Sequence, residues 1–140
     1  MAGWVLCMTL LLAALAGVLG QLQYSRFLRQ HVDYSQMSAQ LGLRYCNTMM
    51  ARRQMTNPVC KYTNTFVHAP AADLVAACSQ VPNSNGMYST TYAMSITVCR
   101  LRGGNTQPPC NYRGRQARHY VRVACQRGLP VHLDSTSTTP

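Results

Sequence analysis

The sequence predicts an α+β domain: helices gathered mainly in the first half, an antiparallel sheet behind them, and three disulfide bridges. Three observations carry this reading. Apolar residues recur at helical spacing in the earlier segments. They alternate with small polar residues after Asn85-Gly86, a strong turn signal. Six cysteines, Cys46, Cys60, Cys78, Cys99, Cys110 and Cys125, are spread over a chain short enough to be one domain, and an even number in that setting implies a disulfide framework. Helices first and strands later favour a sheet whose neighbours run antiparallel.

Taken in order, residues 1–20 hold no charged side chain, and their apolar core runs from about Val5 to Val18 before small residues lead to Gly20. This is the pattern of a secretory signal peptide cleaved near Gly20-Gln21, which leaves residues 21–140 as a single secreted domain. The weaker alternative is a signal anchor, because the apolar run is short for a spanning helix of about 20 residues. The seventh cysteine, Cys7, falls in this segment.

QYSRFLRQHVD places Tyr24, Phe27, Leu28 and His31 on one helical stripe. RYCNTMMARRQM predicts a second helix with Cys46, Met49 and Met50 inward, closed by Asn57-Pro58. PAADLVAACSQ predicts a third, with Pro70 suited to its first turn. NTFVH, the alternating run from Tyr88 to Val98, ARHYVRVAC and LPVHLD read as strands. RGGNTQPPC reads as a loop, and STSTTP as a polar tail that frays. A domain of this size buries a modest core, so the bridges carry much of its stability. Spacing does not choose among the pairings that six cysteines allow. No CxxC pair occurs, which weakens a zinc reading.

The charge is lopsided. Thirteen Lys and Arg face three acids, Asp33, Asp73 and Asp134, for a net charge of +10. The partner this fits is a polyanion: RNA, DNA, sulfated glycosaminoglycans or an anionic membrane. Three scattered carboxylates argue against a two-metal nuclease and lend little support to a glycosidase, which needs a close carboxylate pair. Phosphodiester chemistry in this chain falls to His and Lys. Lys61 is the one lysine among twelve arginines, and it follows Cys60 directly. Lysine is a compact point charge, whereas arginine is a planar fork, so the exception has chemical content.

RQHVD, YCNTMM, CKYTNTFVH, MSITVCR and LPVHLD, in that order, resemble the ribonuclease A superfamily, the secreted pancreatic-type ribonucleases. The resemblance spans about residues 23–136. It implies a bent antiparallel sheet with three helices, no metal or other cofactor, and a monomer. It implies cleavage of single-stranded RNA on the 3′ side of pyrimidines by transphosphorylation through a 2′,3′-cyclic phosphate. It also implies the pairing Cys46–Cys99, Cys60–Cys110 and Cys78–Cys125, and it brings a cytosolic ribonuclease inhibitor into view as a partner.

The chemistry of RNA cleavage explains why such residues are needed. The 2′-OH is the built-in nucleophile, so the site requires a base, an acid for the departing 5′ oxygen, and a cation for the phosphoryl oxygens. Histidine suits the first two because its pKa lies near operating pH. By resemblance His31 is the base, His132 the acid and Lys61 the charge stabiliser. Gln30 then contacts the phosphate and Asn64 sits beside the site. Thr65 reads the pyrimidine with a hydroxyl that can donate or accept, and Asp134 orients His132. Each has a plainer reading. His31 on an apolar stripe is a satisfied core histidine, Lys61 a surface charge, and His132 one step in an alternating strand. His68 is read as structural, a buried hydrogen-bonded ring. His119, after Arg118, is read as a solvated residue along the phosphate path.

Several positions depart from the family pattern. Leu133 stands where phenylalanine is usual, Val98 where an aspartate backs the threonine, and Gln126 where glutamate is common. VPNSNGMYS lacks a fourth disulfide. Three bridges, Arg52-Arg53 and the arginine bias resemble the angiogenin branch, in which signalling outweighs a weak ribonuclease activity. Ser135 follows Asp134 where that branch has a glutamine that blocks the pyrimidine pocket. The other alternative is a cationic host-defence protein acting on membranes.

Overall fold

In the computed structural model, residues 2–35 and 44–140 are described. Among the described residues, three α-helices and five β-strands follow one another. Helix α1 spans Ala2–His31, α2 spans Tyr45–Arg52 and α3 spans Ala71–Ala77. The strands are β1 Thr63–Val67, β2 Tyr88–Ser89, β3 Met94–Leu101, β4 Tyr112–Gln126 and β5 Leu129–Ser137.

The three expected helical segments are present with altered limits. The first is continuous with the apolar N-terminal run, because alanine and leucine carry helix propensity through Gly17 and Gly20 without a breaker. By length and composition α1 is long and apolar enough to cross a membrane, and its N-terminal portion is exposed. Helix α2 ends before the expected Asn57-Pro58, because Gln54 turns into the left-handed region at φ 65°. Pro70 is the N-cap of α3 rather than a residue inside its first turn.

The sheet is antiparallel, in the order β1-β3-β4-β2, with β5 also paired to β4. Strand β4 is 15 residues long and serves both halves of the sheet. Residues 112–119 pair with β3, and residues 120–126 pair with β5. Register shifts near Val123 and Cys125 bend the second half. The expected continuous strand over 88–98 is instead two short strands. Thr90 Oγ1 donates to Tyr92 O and takes a bond from Val121 N, which breaks the run between them. The tail does not fray at Ser135. Ser135, Thr136 and Ser137 pair with Arg122, Val121 and Tyr120, and Arg122 Nη2 holds the carbonyls of Thr139 and Pro140.

Two apolar clusters cover the sheet. One gathers Tyr45, Met49, Met50, Phe66 and Tyr112 beneath α2. The other gathers Phe27, Leu74, Met94, Ile96, Val121 and Val123 beneath α1 and α3. Cys46–Cys99, Cys60–Cys110 and Cys78–Cys125 are bridged, the pairing implied by resemblance. Each closes a loop of about fifty residues, worth on the order of 4 kcal/mol in the chain-entropy description.

Candidate active site

His31 ends α1 and is 9% exposed, with Phe27 one turn back tilted against its ring. Its Nδ1 lies 2.9 Å from the main-chain oxygen of Thr65. A carbonyl only accepts, so Nδ1 carries the proton and Nε2 is left with its lone pair. Burial pushes the His31 pKa down to about 4, against the opposing pull of the Thr65 carbonyl and with the Lys61 and His132 charges lowering it further. The ring is therefore neutral at pH 7, the form a general base requires.

The helix end that carries His31 is fixed from several sides. Arg53 Nη1 donates to the carbonyls of Leu28, Arg29 and Val32, and Arg29 Nη1 donates back to Arg53 O. Next along the chain, Asp33 accepts from Tyr45 Oη at 2.6 Å. His68 contacts Asp33 O through Nδ1 at 2.8 Å and Thr97 Oγ1 through Nε2 at 2.7 Å. His68 thus has the structural role expected of it.

Lys61 is held by its backbone. Its amide donates to Met55 O and its carbonyl accepts from Tyr112 Oη, beside the Cys60–Cys110 bridge. Its Nζ donates to Asn64 Oδ1 at 3.0 Å, and Asn64 Nδ2 donates to Gln30 O at 2.7 Å. Asn64 is 3% exposed, so this amide is a fixed link between the lysine and α1. Burial, and secondarily the nearby Arg29 charge, lower the Lys61 pKa. That is the consequence of a cation aimed into a partly dry cleft.

These side chains meet in a cleft of about 290 Å³ lined by Gln30, His31, Lys61, Asn64, Thr65, His132 and Asp134, all of the catalytic and substrate-binding residues expected from sequence. Leu133 and Ser135 complete it with two residues that were not expected, Thr63 and Thr136. Period-2 alternation carried the signal for both: Thr63 precedes Thr65 by two, and Thr136 follows Asp134 by two. Thr65 faces Val98 across the β1–β3 pair, so no carboxylate backs its hydroxyl.

Two expected details differ. Asp134 accepts from Ser135 Oγ at 3.1 Å, and among the described residues no hydrogen bond joins it to His132. His119 is not a solvated residue but half-buried, with Nδ1 3.0 Å from Thr136 Oγ1. The pairing of Val121 with Thr136 brings the two side chains together across β4 and β5.

A buried neutral histidine, an exposed histidine and a tethered lysine lie around one cleft, groups able to exchange protons beside a cation able to face an anion. Residues 22–134 match the pancreatic ribonuclease family. The chain belongs to that family. It is 58% identical to ribonuclease CL2 of Gallus gallus over 116 residues, 81% of this chain and 96% of that one. It is 42% identical to angiogenin-2 of Bos taurus over 120 residues, covering 84% and 95% of the two chains. The structure of green turtle egg white ribonuclease superposes with a TM-score of 0.78 at 48% identity, covering 82% of this chain and 98% of that one. The fold is thus the RNase A-like fold of the family, held in this chain by three bridges.

Proposed function

We propose that this chain is a secreted endoribonuclease that cleaves single-stranded RNA on the 3′ side of pyrimidines through a 2′,3′-cyclic phosphate. The observation that carries the reading is the convergence of His31, Lys61 and His132 on one cleft. His31 Nε2 takes the 2′-OH proton. His132, exposed on β5, gives a proton to the departing 5′ oxygen. Lys61 Nζ meets the charge that grows on the phosphoryl oxygens, which it does best in the transition state. Gln30 contributes a phosphate contact, Asn64 positions Lys61 and Thr65 faces the base, while Asp134 lines the cleft next to Ser135. Residues 1–20 act as the export signal. The exposed apolar start of α1 and three disulfides support that.

The test is cleavage of a pyrimidine dinucleotide followed by phosphorus NMR. A cyclic phosphate product in the wild type, with losses of at least ~10²-fold in His31→Ala and His132→Ala, is the expected result. Near-normal cleavage by either folded variant removes the assignment.

A second reading has its own support. Angiogenin-2 is among the relatives, and the bridges number three. On that reading catalysis is weak and the surface signals to cells. Ser135, rather than a glutamine, beside the pyrimidine cleft favours the enzyme.

A further inference from the structure

We propose that His119 is a specificity-positioning residue: through Thr136 it sets which pyrimidine the cleft accepts. The proposal rests on the pyrimidine reading above and goes beyond it by assigning the discrimination to a pair outside the catalytic set.

Thr136 lines the cleft together with Thr65. A threonine hydroxyl has one proton and two lone pairs. The Thr136 hydroxyl is engaged by His119 Nδ1 at 3.0 Å, and His119 is not among the residues that line the cleft. What it offers the cleft therefore depends on what His119 does. When Nδ1 carries a proton it donates to Thr136 Oγ1, and the hydroxyl proton is free to point into the cleft. When Nδ1 is bare, Thr136 donates to it and presents a lone pair to the cleft. Uracil carries an accepting oxygen at position 4, and cytosine carries a donating amino group there. The first arrangement suits uracil and the second suits cytosine. A neutral imidazole has one donor and one acceptor nitrogen and can adopt either tautomer, so the wild-type pair accommodates both bases.

Thr65 cannot be biased in this way from behind. Its partner across β1–β3 is Val98, which neither donates nor accepts. In this chain the polar residue behind a cleft threonine lies behind Thr136 instead. We place Thr136 against the position-4 group, beside the ring edge that Thr65 reads.

The experiment compares kcat/KM on uridylyl-adenosine and cytidylyl-adenosine, with adenylyl-adenosine as control. His119→Asp puts an obligate acceptor where Nδ1 stands, so the uridine-to-cytidine ratio should fall. His119→Lys supplies an obligate donor, so the ratio should rise. Each shift should be about two- to tenfold, the range of one neutral hydrogen bond. His119→Asn, which can present either group at the same reach, should keep the wild-type ratio. In a Thr136→Val background the His119 exchanges should no longer move the ratio, which separates the relay from a general effect of charge. Because the ratio is internal to each preparation, a partly unfolded variant still reports it. Shifts in one common direction, reversed shifts, or shifts that persist in Thr136→Val overturn the proposal. Wild-type cleavage of adenylyl-adenosine as fast as the pyrimidine substrates overturns the pyrimidine reading and this proposal with it. A clear wild-type pyrimidine preference with an unmoved ratio in the Asp and Lys variants overturns this proposal alone.

Discussion

Lys61 donates from Nζ to Asn64 Oδ1 at 3.0 Å, and Asn64, anchored in turn to the Gln30 carbonyl, is almost fully buried. The lone lysine is therefore not a drifting surface cation. Its charge is aimed by an amide that is itself fixed to the helix carrying His31. Preorganisation of this kind acts on the transition state more than on the ground state.

From that geometry, Lys61→Arg should keep net charge and RNA affinity but lower kcat, with KM little changed. Asn64→Ala should have the same signature in milder form, since the lysine remains but loses its aim. Steady-state kinetics on a dinucleotide at two salt concentrations checks both. An arginine variant with wild-type kcat would mean that any cation serves, and Lys61 would then be one contributor among thirteen to RNA attraction.

The depressed pKa of His31 makes a second prediction, in activity and in stability. In the free enzyme the acid limb of kcat/KM should reflect loss of the base near pH 4. In the unfolded chain the same ring titrates at its ordinary 6.5. Between these values the unfolded state binds more protons than the folded state, so stability rises with pH across this window and is lost as pH falls from 6.5 to about 4. The full effect is on the order of 3 kcal/mol, at about 1.4 kcal/mol per pKa unit. His31→Asn keeps a donor to the Thr65 carbonyl but does not titrate. Denaturant unfolding at pH 4 and pH 7 should show a smaller acid loss in the variant than in the wild type. Equal losses would remove His31 as the source.

The readable parts of the molecule were those with a single strong local cause. Phe27 and His31 share a helical stripe, and both are buried. Met49 and Met50 point inward as their spacing required. The Cys60-to-His68 segment carries its chemistry in consecutive letters, and the cleft contains Lys61, Asn64 and Thr65 from it. Long-range pairing was not readable in this way. The extension of β4 back to Tyr112 runs through exposed Arg113, Gly114, Arg115 and Gln116, which show no alternation of burial. The ordering of Ser135–Ser137 is imposed by backbone bonds to β4 rather than by side-chain pattern. The His119–Thr136 contact depends on the same pairing, so no local motif marks it.

Gly114 gives a third prediction, because its reason also lies across the fold. A Cβ at this position would sit 3.0 Å from Cys46 Sγ, against the Cys46–Cys99 bridge. Gly114→Ala should therefore be destabilising by about 1 kcal/mol, because the buried Cys46 sulfur, tied to Cys99, has little room to yield. The disulfide should still form, and cleavage should be near normal at low temperature. Denaturant midpoints with and without reductant test this. A variant as stable as the wild type would show that the sulfur yields without cost.

The final prediction separates catalysis from charge. Arg52, Arg113 and Arg115 are exposed, whereas Arg53 is engaged with three carbonyls at the end of α1. Arg53 is thus part of the scaffold behind His31, and its replacement would confound any test of surface charge. Reversing only Arg52, Arg113 and Arg115 to Glu should leave cleavage of a dinucleotide mostly intact, because so short a substrate does not span the surface. It should weaken binding to long RNA and lower the log–log salt slope by roughly 2 if all three neutralise phosphates. His132→Ala should do the reverse, abolishing cleavage while preserving affinity and its salt dependence. The same two proteins then distinguish the host-defence alternative from an enzymatic one. Bacterial killing that survives in His132→Ala and disappears in the triple charge variant belongs to the cationic surface. Killing lost in His132→Ala, at unchanged net charge and fold, ties defence to RNA cleavage.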